Sequence, residues 1–521
     1  MVWHIFKKDW KLLWPIVIGV AIIHFLHRFG WYKMGHFASN PMLHPLLQMM
    51  QWAGYLGMAF LIAFVVQQDA VPGVRQDWLV RPIRRRDLLF AKILFVLLLV
   101  QGPMIAADTF EGLSTGFTFG QSFAAAFSRG LGLLPFLFLA FLAFAALTQN
   151  LMEMITGGVL LFIAGGGAVL LIGTLLFSGR PQFWVEWSGL SWISQTERIL
   201  VSLVVATVIL CLLYFRRKVT TSRWIFASGA LLWMLSFFTP WRMAFAVQRW
   251  ASAVPAAAQS IAIDFLPSLG KGRPPAVPEL ENAGGRIDDP TTVISLPLRI
   301  SGLDHDRVLK ADHYEVFVVK NDQSRLDAGV GSALEIFNEG RESEARIYQA
   351  LRISTNLYEH FKDLPVNLEI DYFLTSMRLS GAYGFSPLHD DQRNPTLGWC
   401  KTRVNGDQTA VQLRCLMPTS KPSNEASCAS AFLENQSTGK RNPERFVCVP
   451  NYSPFMESIT DSFSRFGFNI PFRDPTGLAQ YPVDGSQLAN AQAVIRVYQP
   501  VEHFSRRLVI PAIRLSDWVA R

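Results

Sequence analysis

The sequence predicts a polytopic α-helical membrane domain of about seven spans, N-terminus in the cytoplasm, followed by an extracytoplasmic, mainly-β domain of sandwich type. Three observations carry this expectation. Half of the 521 residues are apolar, and the first half of the chain concentrates them in runs of membrane length. The charge divides at the same place: residues 1–241 hold 18 Lys and Arg against 9 Asp and Glu, whereas residues 242–521 hold 30 against 31. The second half also alternates apolar and polar residues with period two, the pattern of half-buried strands. The net charge of +8 therefore comes from basic loops beside membrane segments and gives no argument for a nucleic-acid partner. The expected units are a transmembrane domain over 1–241, a juxtamembrane segment with a Pro/Gly-rich linker over 242–290, and a β-rich domain over 291–521.

The N-terminal stretch "MVWHIFKKDWKLLWPIVIGV" has the basic start and apolar core of a signal peptide, but no small-residue cleavage site follows it. It reads as a retained signal-anchor. The part before Pro15 is expected to lie in the interface with Trp3, Ile5, Phe6 and Trp10 toward lipid. Spans are expected at 12–29, 46–67, 88–107, 131–148, 155–177, 199–215 and 223–240, each near the ~20 residues that cross ~30 Å of hydrocarbon. The fourth and fifth form a tight hairpin around Glu153. Gly157, Gly158, Gly165, Gly166 and Gly167 mark the fifth span as a packing face at the centre of a bundle or dimer, because small residues permit close approach in lipid; a flexible gating helix is the alternative. Cys211, in the sixth span, reads as a packing residue.

Orientation follows from the Lys and Arg bias of short loops. With the N-terminus inside, Lys7, Lys8, Lys11, Arg75, Arg81, Arg84, Arg85, Arg86, Lys92, Arg216, Arg217, Lys218 and Arg223 face the cytoplasm, against Arg28, Lys33, Arg129, Arg180 and Arg198 outside. Seven spans then leave the C-terminal domain outside. His24, His27, His36 and His44 read as interfacial, beside Trp31 and Tyr32. Asp108 and Glu153 fall at span ends, so charge within the spans looks scarce, which weakens the case for an ion-coupled carrier.

In the second half, strands are expected in "TVISLPLRI", "YEVFVVK", "ARIYQALRIS", "NLEIDYFL", "TAVQLRCLM", "RFVCVP", "QAVIRVYQP" and "RRLVIPAIRL", with short helices in "NLYEHFKDLP" and "FMESITDSFSRF". Cys400, Cys415, Cys428 and Cys448 form an even set confined to this domain, which suggests two disulfides and an oxidising compartment. Three pairings are open; the sequential one, Cys400–Cys415 with Cys428–Cys448, would staple neighbouring strands. The polar groups Asp304, His305, Asp306, Asp312 and His313, and His389, Asp390 and Asp391, read as turns rather than cation sites, and no metal or cofactor is expected. The sequence contains no P-loop, H-E-x-x-H, G-x-S-x-G or G-x-G-x-x-G motif, so no catalytic set is expected.

The most informative stretch lies between the second and third spans, "GVRQDWLVRPIRRRDLLFAK". Pro82 suits a helix's first turn, Trp78, Leu79 and Ile83 supply apolar anchors, and Arg81, Arg84, Arg85 and Arg86 surround them with Asp87 alongside. Topology alone accounts for the arginines but not for Gly73, Trp78 or Pro82. The pattern Gly73, then Trp78-Leu79-x-Arg81-Pro82-Ile83-x-Arg85, then Leu88-Leu89-x-Ala91-Lys92 resembles that of permease subunits of ABC-2-type transporters, and the resemblance covers roughly residues 1–217. It implies a cytoplasmic coupling element that docks on a separate ABC ATPase subunit, a homodimer or heterodimer of permeases in the bacterial inner membrane, and transport, most naturally export. The seventh span and outer domain are additions to that pattern. They suggest a second reading, a membrane-anchored receptor or assembly scaffold whose outer domain binds an extracytoplasmic protein or envelope component.

Overall fold

The computed structural model describes residues 1–33, 43–69, 84–177, 190–251, 260–269, 291–304, 306–319, 324–336, 344–389, 391–394, 397–418, 427–449, 462–473 and 481–519. The first half is helical: α1 (Val2–Lys33), α2 (Leu43–Gln67), α3 (Arg85–Ser114), α4 (Phe119–Leu147), α5 (Leu151–Phe177), α6 (Trp192–Arg216), α7 (Val219–Leu235) and α8 (Trp241–Ala251). Six of these are long and apolar enough to cross a membrane. A seventh crossing arises if Val219–Phe238 and α8, bent by 89° at their junction, count as one. Each expected span is thus present as a helix, and several run longer than expected.

α1 shows why. It is continuous through Pro15 and, at 1.5 Å per residue, about 48 Å long, well beyond the hydrocarbon thickness. Its N-terminal half does not turn Ile5 and Phe6 to lipid; both are buried in the bundle core, and the Phe6 ring meets Phe95 at 6.1 Å. The prolines inside α3 and α4 are absorbed by π-helical turns at Val96–Gln101 and Leu134–Phe138, which re-satisfy the backbone around a missing N–H. The turns between helices are set locally. Thr118 and Gln121 form a reciprocal cap at the start of α4. Glu153 accepts from Gln149 N while its own N–H bonds Asn150, closing the α4–α5 hairpin.

The bundle core joins α1, α2, α3, α4 and α6. α5 lies at its edge: Phe162 is 81% exposed and Leu170 72%. Of its glycines, Gly157 and Gly158 face Phe144 and Gly165 meets Met234, while Gly166 and Gly167 face open space. Within one chain this helix is therefore peripheral rather than central. Cys211 is also exposed on the bundle surface instead of packed.

The second half comprises β1 (Ala262–Phe265), β2 (Thr291–Ser301), β3 (Arg307–Val319), β4 (Arg325–Ile336), β5 (Glu344–Ser354), α9 (Thr355–Phe361), β6 (Val366–Phe385), β7 (Asp391–Asn394), β8 (Gly398–Val404), β9 (Ala410–Pro418), β10 (Ser427–Asn435), β11 (Arg445–Val449), β12 (Phe463–Pro471) and β13 (Ala491–Ile513). A six-stranded antiparallel sheet, in the order β11-β10-β13-β6-β3-β4, forms a spine. β6 and β13 run its full length, and register shifts at Val497/Tyr498, Pro500/Glu502 and Ile510/Ile513 let them coil. Two small sheets face this spine. β1-β2-β5 packs Ile294, Leu296 and Leu298 against Val316, Ile370 and Leu508; β12-β9-β8-β7 packs Val411, Leu413 and Ile470 against Leu433, Ala493 and Ile495. The result is two sandwiches sharing one continuous sheet.

Several expectations change here. The two runs around Pro500 form a single strand, because proline sits at a bulge rather than ending the ladder. "FMESITDSFSRF" is not helical from Phe463 on: it pairs with β9 as β12, and its first part lies outside the described residues. Segment 242–290, expected to be a juxtamembrane segment followed by a linker, contributes most of α8 and, in β1, a strand that pairs with β2. Cys400 and Cys415 are opposite each other on β8 and β9 and are disulfide-bonded. Cys428 is also disulfide-bonded, and the residue opposite it on β11 is Cys448.

Candidate functional site

The loop the sequence singles out falls mostly outside the described residues, including Gly73, Trp78, Leu79, Arg81, Pro82 and Ile83. Its two anchorages are described. Arg84 is extended and precedes α3, whose first turn holds Arg85, Arg86 and Asp87; a carboxylate there favours the helix N-terminus. On α3, Leu88, Lys92 and Phe95 share the inward face, as i, i+4 and i+7 positions must. Lys92 is fully buried, although its sequence position had suggested a cytoplasmic flank. Its ammonium lies 2.8 Å from Asp9 Oδ2 of α1 and 2.7 Å from Asp69 Oδ2 just after α2. Lys8 adds a second cation at 3.1 Å from Asp69. Gln67 donates to Thr148 Oγ1 at 3.0 Å, and Arg223 pairs with Glu153 at 2.9 Å. One end of the bundle, where Asp69 and the start of α3 lie, is thus laced together.

The opposite end carries a second buried charge cluster. Arg28 Nε lies 2.7 Å from Asp108 Oδ1, and Arg28 Nη1 lies 3.0 Å from Glu111. Arg129 Nη1 meets the other Asp108 oxygen at 2.5 Å while its Nη2 donates to Tyr55 Oη at 2.7 Å. α1, α2, α3 and α4 are all engaged. His24 and His27 are buried on the same stripe of α1 as Arg28 and face the bundle, and charge inside the bundle is not scarce. Such groups are costly in hydrocarbon unless paired and turned inward, and here they are both. Among the described residues no group of three or more His, Cys, Asp or Glu could hold a metal ion.

The β domain docks on this second end. Ser462 Oγ donates to Asp108 Oδ2 at 2.7 Å, and Phe463 stacks on Phe117 with centroids 5.4 Å apart. Gly112 permits this approach, since a Cβ there would lie 2.6 Å from the Phe463 ring. Gly116, at φ +89°, makes room for the Arg393 guanidinium.

A second seam runs along α8. Trp241 packs on His313 and Phe245 on Phe373, and Arg242 bonds Glu315. Burial alone would raise the Glu315 carboxyl, but hydrogen bonds from His313 and Arg242 hold it down at about 2. Burial in turn lowers His313.

Beside this pair, Trp192 Nε1–H donates to Gln248 Oε1 at 2.5 Å, Gln248 lies 2.9 Å from His503 Nε2, and His503 Nδ1 lies 2.8 Å from Thr375 Oγ1. Thr375 gives its single proton to Asp312, so it accepts from Nδ1–H, and Nε2 accepts from Gln248. This chain of bonds leads from α6 through α8 to β13, β6 and β3. Asp312 and His313, expected in a turn, are buried strand residues.

Sequence reasoning missed Asp9, Asp69 and Lys92 as a group, as well as Arg28, Glu111, Arg129, Gln248 and His503. A signal existed for some: Asp9 continues the buried stripe Ile5–Leu13 and Arg28 the stripe Val20–His24. Which carboxylate meets which cation was carried by nothing local.

No family model matches the chain, and no curated protein matches it. Among solved structures it is similar to red sea bream transglutaminase, at 7% identity and a TM-score of 0.14, over 53% of this chain and 35% of that one. The chain spans about a third of that structure, and a likeness at this level carries no argument about fold or activity.

Proposed function

We propose that the chain is the membrane (permease) subunit of an ATP-driven, ABC-2-type transporter, an exporter, whose ATP hydrolysis is supplied by a separate subunit docking on the basic loop. The observation that carries this reading is the burial of Lys92 between Asp9 and Asp69. The loop leaves the described structure one residue after Asp69 and returns at Arg84, eight positions before Lys92. Both of its anchorages are therefore tied to one ion-pair cluster, which also holds α1. A push on the loop would move α1, α2 and α3 as a rigid body, since separating them strands buried charge. The same helices carry Arg28, Tyr55 and Asp108 at the far end, so the motion would reach the β domain through Ser462. On this reading the chain lies in the bacterial inner membrane with that domain extracytoplasmic, and pairs with a second permease.

The test is reconstitution with the ATPase subunit. Trp78→Ala combined with Arg81→Ala should abolish stimulation of ATP hydrolysis while the chain still inserts; unchanged stimulation sinks the assignment. The second reading, a membrane-anchored receptor or scaffold, is favoured by the size of the β domain and its attachment at two seams. Purification from native membranes separates the two readings: a co-purifying ATPase supports the first, and its absence supports the second.

A further inference from the structure

α6 and α7 meet closely at Gly229, where a Cβ would lie 2.6 Å from Val205. Beside that crossing they leave an open groove of about 400 Å³ lined by Val205, Thr221, Trp224, Ile225 and Leu232. The lining is mainly apolar and faces outward, as Trp224 is 72% exposed and Leu232 56%. No lining residue is charged, and the turn joining the two helices at one end, Arg216, Arg217 and Lys218, is exposed. From Thr220 to Leu232 the groove follows thirteen residues of helix, about 18 Å from first to last, close to the ~15 Å of a single hydrocarbon leaflet. Trp224 stands near the basic turn, the depth that suits an amphipathic ring.

We propose that this groove binds an anionic phospholipid, its acyl chain lying along Val205, Ile225 and Leu232 and its phosphate against Arg216 and Lys218. Basic pockets between helices at the cytoplasmic level recognise anionic head groups in this way. The assignment rests on groove length and charge placement and is independent of the transport reading. A second copy of the chain would have no reason to concentrate countercharge at one end of an acyl-length groove.

The experiment uses the full chain in mixed micelles, with retained dioleoyl-phosphatidylglycerol or dioleoyl-phosphatidylcholine counted by native mass spectrometry. Wild type should retain phosphatidylglycerol in preference. Arg216→Gln with Lys218→Gln should weaken that binding by about 30-fold, roughly five-fold per charge, and leave phosphatidylcholine unchanged. Ser228→Phe, which fills the groove, should lower retention of both lipids. Excess inorganic phosphate should not displace the lipid, because the acyl chain contributes to binding.

The proposal fails if the double variant retains phosphatidylglycerol like wild type, if inorganic phosphate displaces it, or if Ser228→Phe alters the oligomeric state without altering lipid retention. A readout that leaves the basic turn and Ser228 intact is quenching by brominated-chain lipid. Brominated phosphatidylglycerol should quench wild-type tryptophan emission more than brominated phosphatidylcholine, and Trp224→Phe should remove the difference; equal quenching by the two lipids overturns the proposal.

Discussion

At one end of the helix bundle Lys92 holds Asp9 and Asp69; at the other, Arg28 and Arg129 hold Asp108. Both clusters are buried and both join helices that are distant in sequence, but their outermost partners differ. The Lys92 cluster is completed by Lys8, a further cation of the same bundle. The Asp108 cluster is completed by Ser462, a neutral hydroxyl from a strand boundary 354 positions away. Pulling the helices apart at either end strands ions in a medium that cannot solvate them. Lifting the β domain off Asp108 breaks a hydrogen bond, which leaves the carboxylate with two arginines. The helices are therefore bound as a unit, and the domain is attached to that unit by a contact that can open.

The largest effects should come from stranding a buried ion. Lys92→Met removes the buried cation shared by Asp9 and Asp69, leaving them only the half-exposed Lys8, and should cost about 3–5 kcal/mol, read as loss of unfolding free energy in detergent. Adding Asp9→Asn and Asp69→Asn should recover most of it, because an all-neutral site has no uncompensated charge. Asp108→Ala should cost a similar ~3–5 kcal/mol by stranding Arg129, while Arg28 keeps Glu111, with one difference. Backbone hydrogen exchange in β12 should rise for Asp108→Ala and stay at the wild-type level for Lys92→Met. Equal loosening of β12 in both variants would erase the distinction between the two ends.

Next in size is the disulfide. Cys400–Cys415 staples the two middle strands of the sheet β12-β9-β8-β7. The outer strands of that sheet bring Phe463 and Arg393 to the turn between α3 and α4. Cys400→Ser with Cys415→Ser should cost about 3 kcal/mol for a closed loop of this length. The loss should be confined to the β domain and its docking contacts, with protection of α3 around Lys92 unchanged.

What could be read from the sequence divides along similar lines. Spans were legible because each is a contiguous apolar run, and the sandwich type because β2, β5 and β6 alternate cleanly. β4 and β10 were missed: "RLDAGVGSALEI" and "SCASAFLEN" are rich in Gly, Ala and Ser, so alternation is faint, and pairing with β3 and β13 makes them strands. The Phe and Ser spacing of "FMESITDSFSRF" suits a helix until β9 is available to pair with it. By position along the chain alone Lys92 is a loop cation. Its place on the helix face of Leu88 and Phe95 showed that it points inward. That Arg28, Asp108 and Arg129 meet is a property of packing three spans together, and no local pattern records it.

A smaller effect isolates the detachable contact itself. Ser462→Ala should cost about 1.5 kcal/mol, the lower end for a hydrogen bond to a charged group, since Arg28 and Arg129 still compensate the carboxylate. A double-mutant cycle with Phe463→Ala should show coupling, because both residues seat the same strand end. Strict additivity would mean that Ser462 and Phe463 hold the domain independently.

The smallest expected effect lies at the other seam and depends on pH. Glu315 is held at about 2, below its ordinary value, so its contribution is complete above pH ~4.5 and disappears as pH falls through about 2. Arg242 is 61% exposed, and solvent screens an exposed pair to less than about 1 kcal/mol. Hydrogen exchange in α8 should therefore rise modestly between pH 4.5 and 2, and Glu315→Gln should flatten that rise. The Asp108 seam supplies the contrast: its carboxylate is buried between two arginines, whereas Glu315 faces a cation open to water. Acid should accordingly loosen α8 before β12. The opposite order would mean that the α8 seam, with its Trp241, Phe245 and Gln248 contacts, is the firmer attachment and Ser462 the weaker one for reasons other than charge.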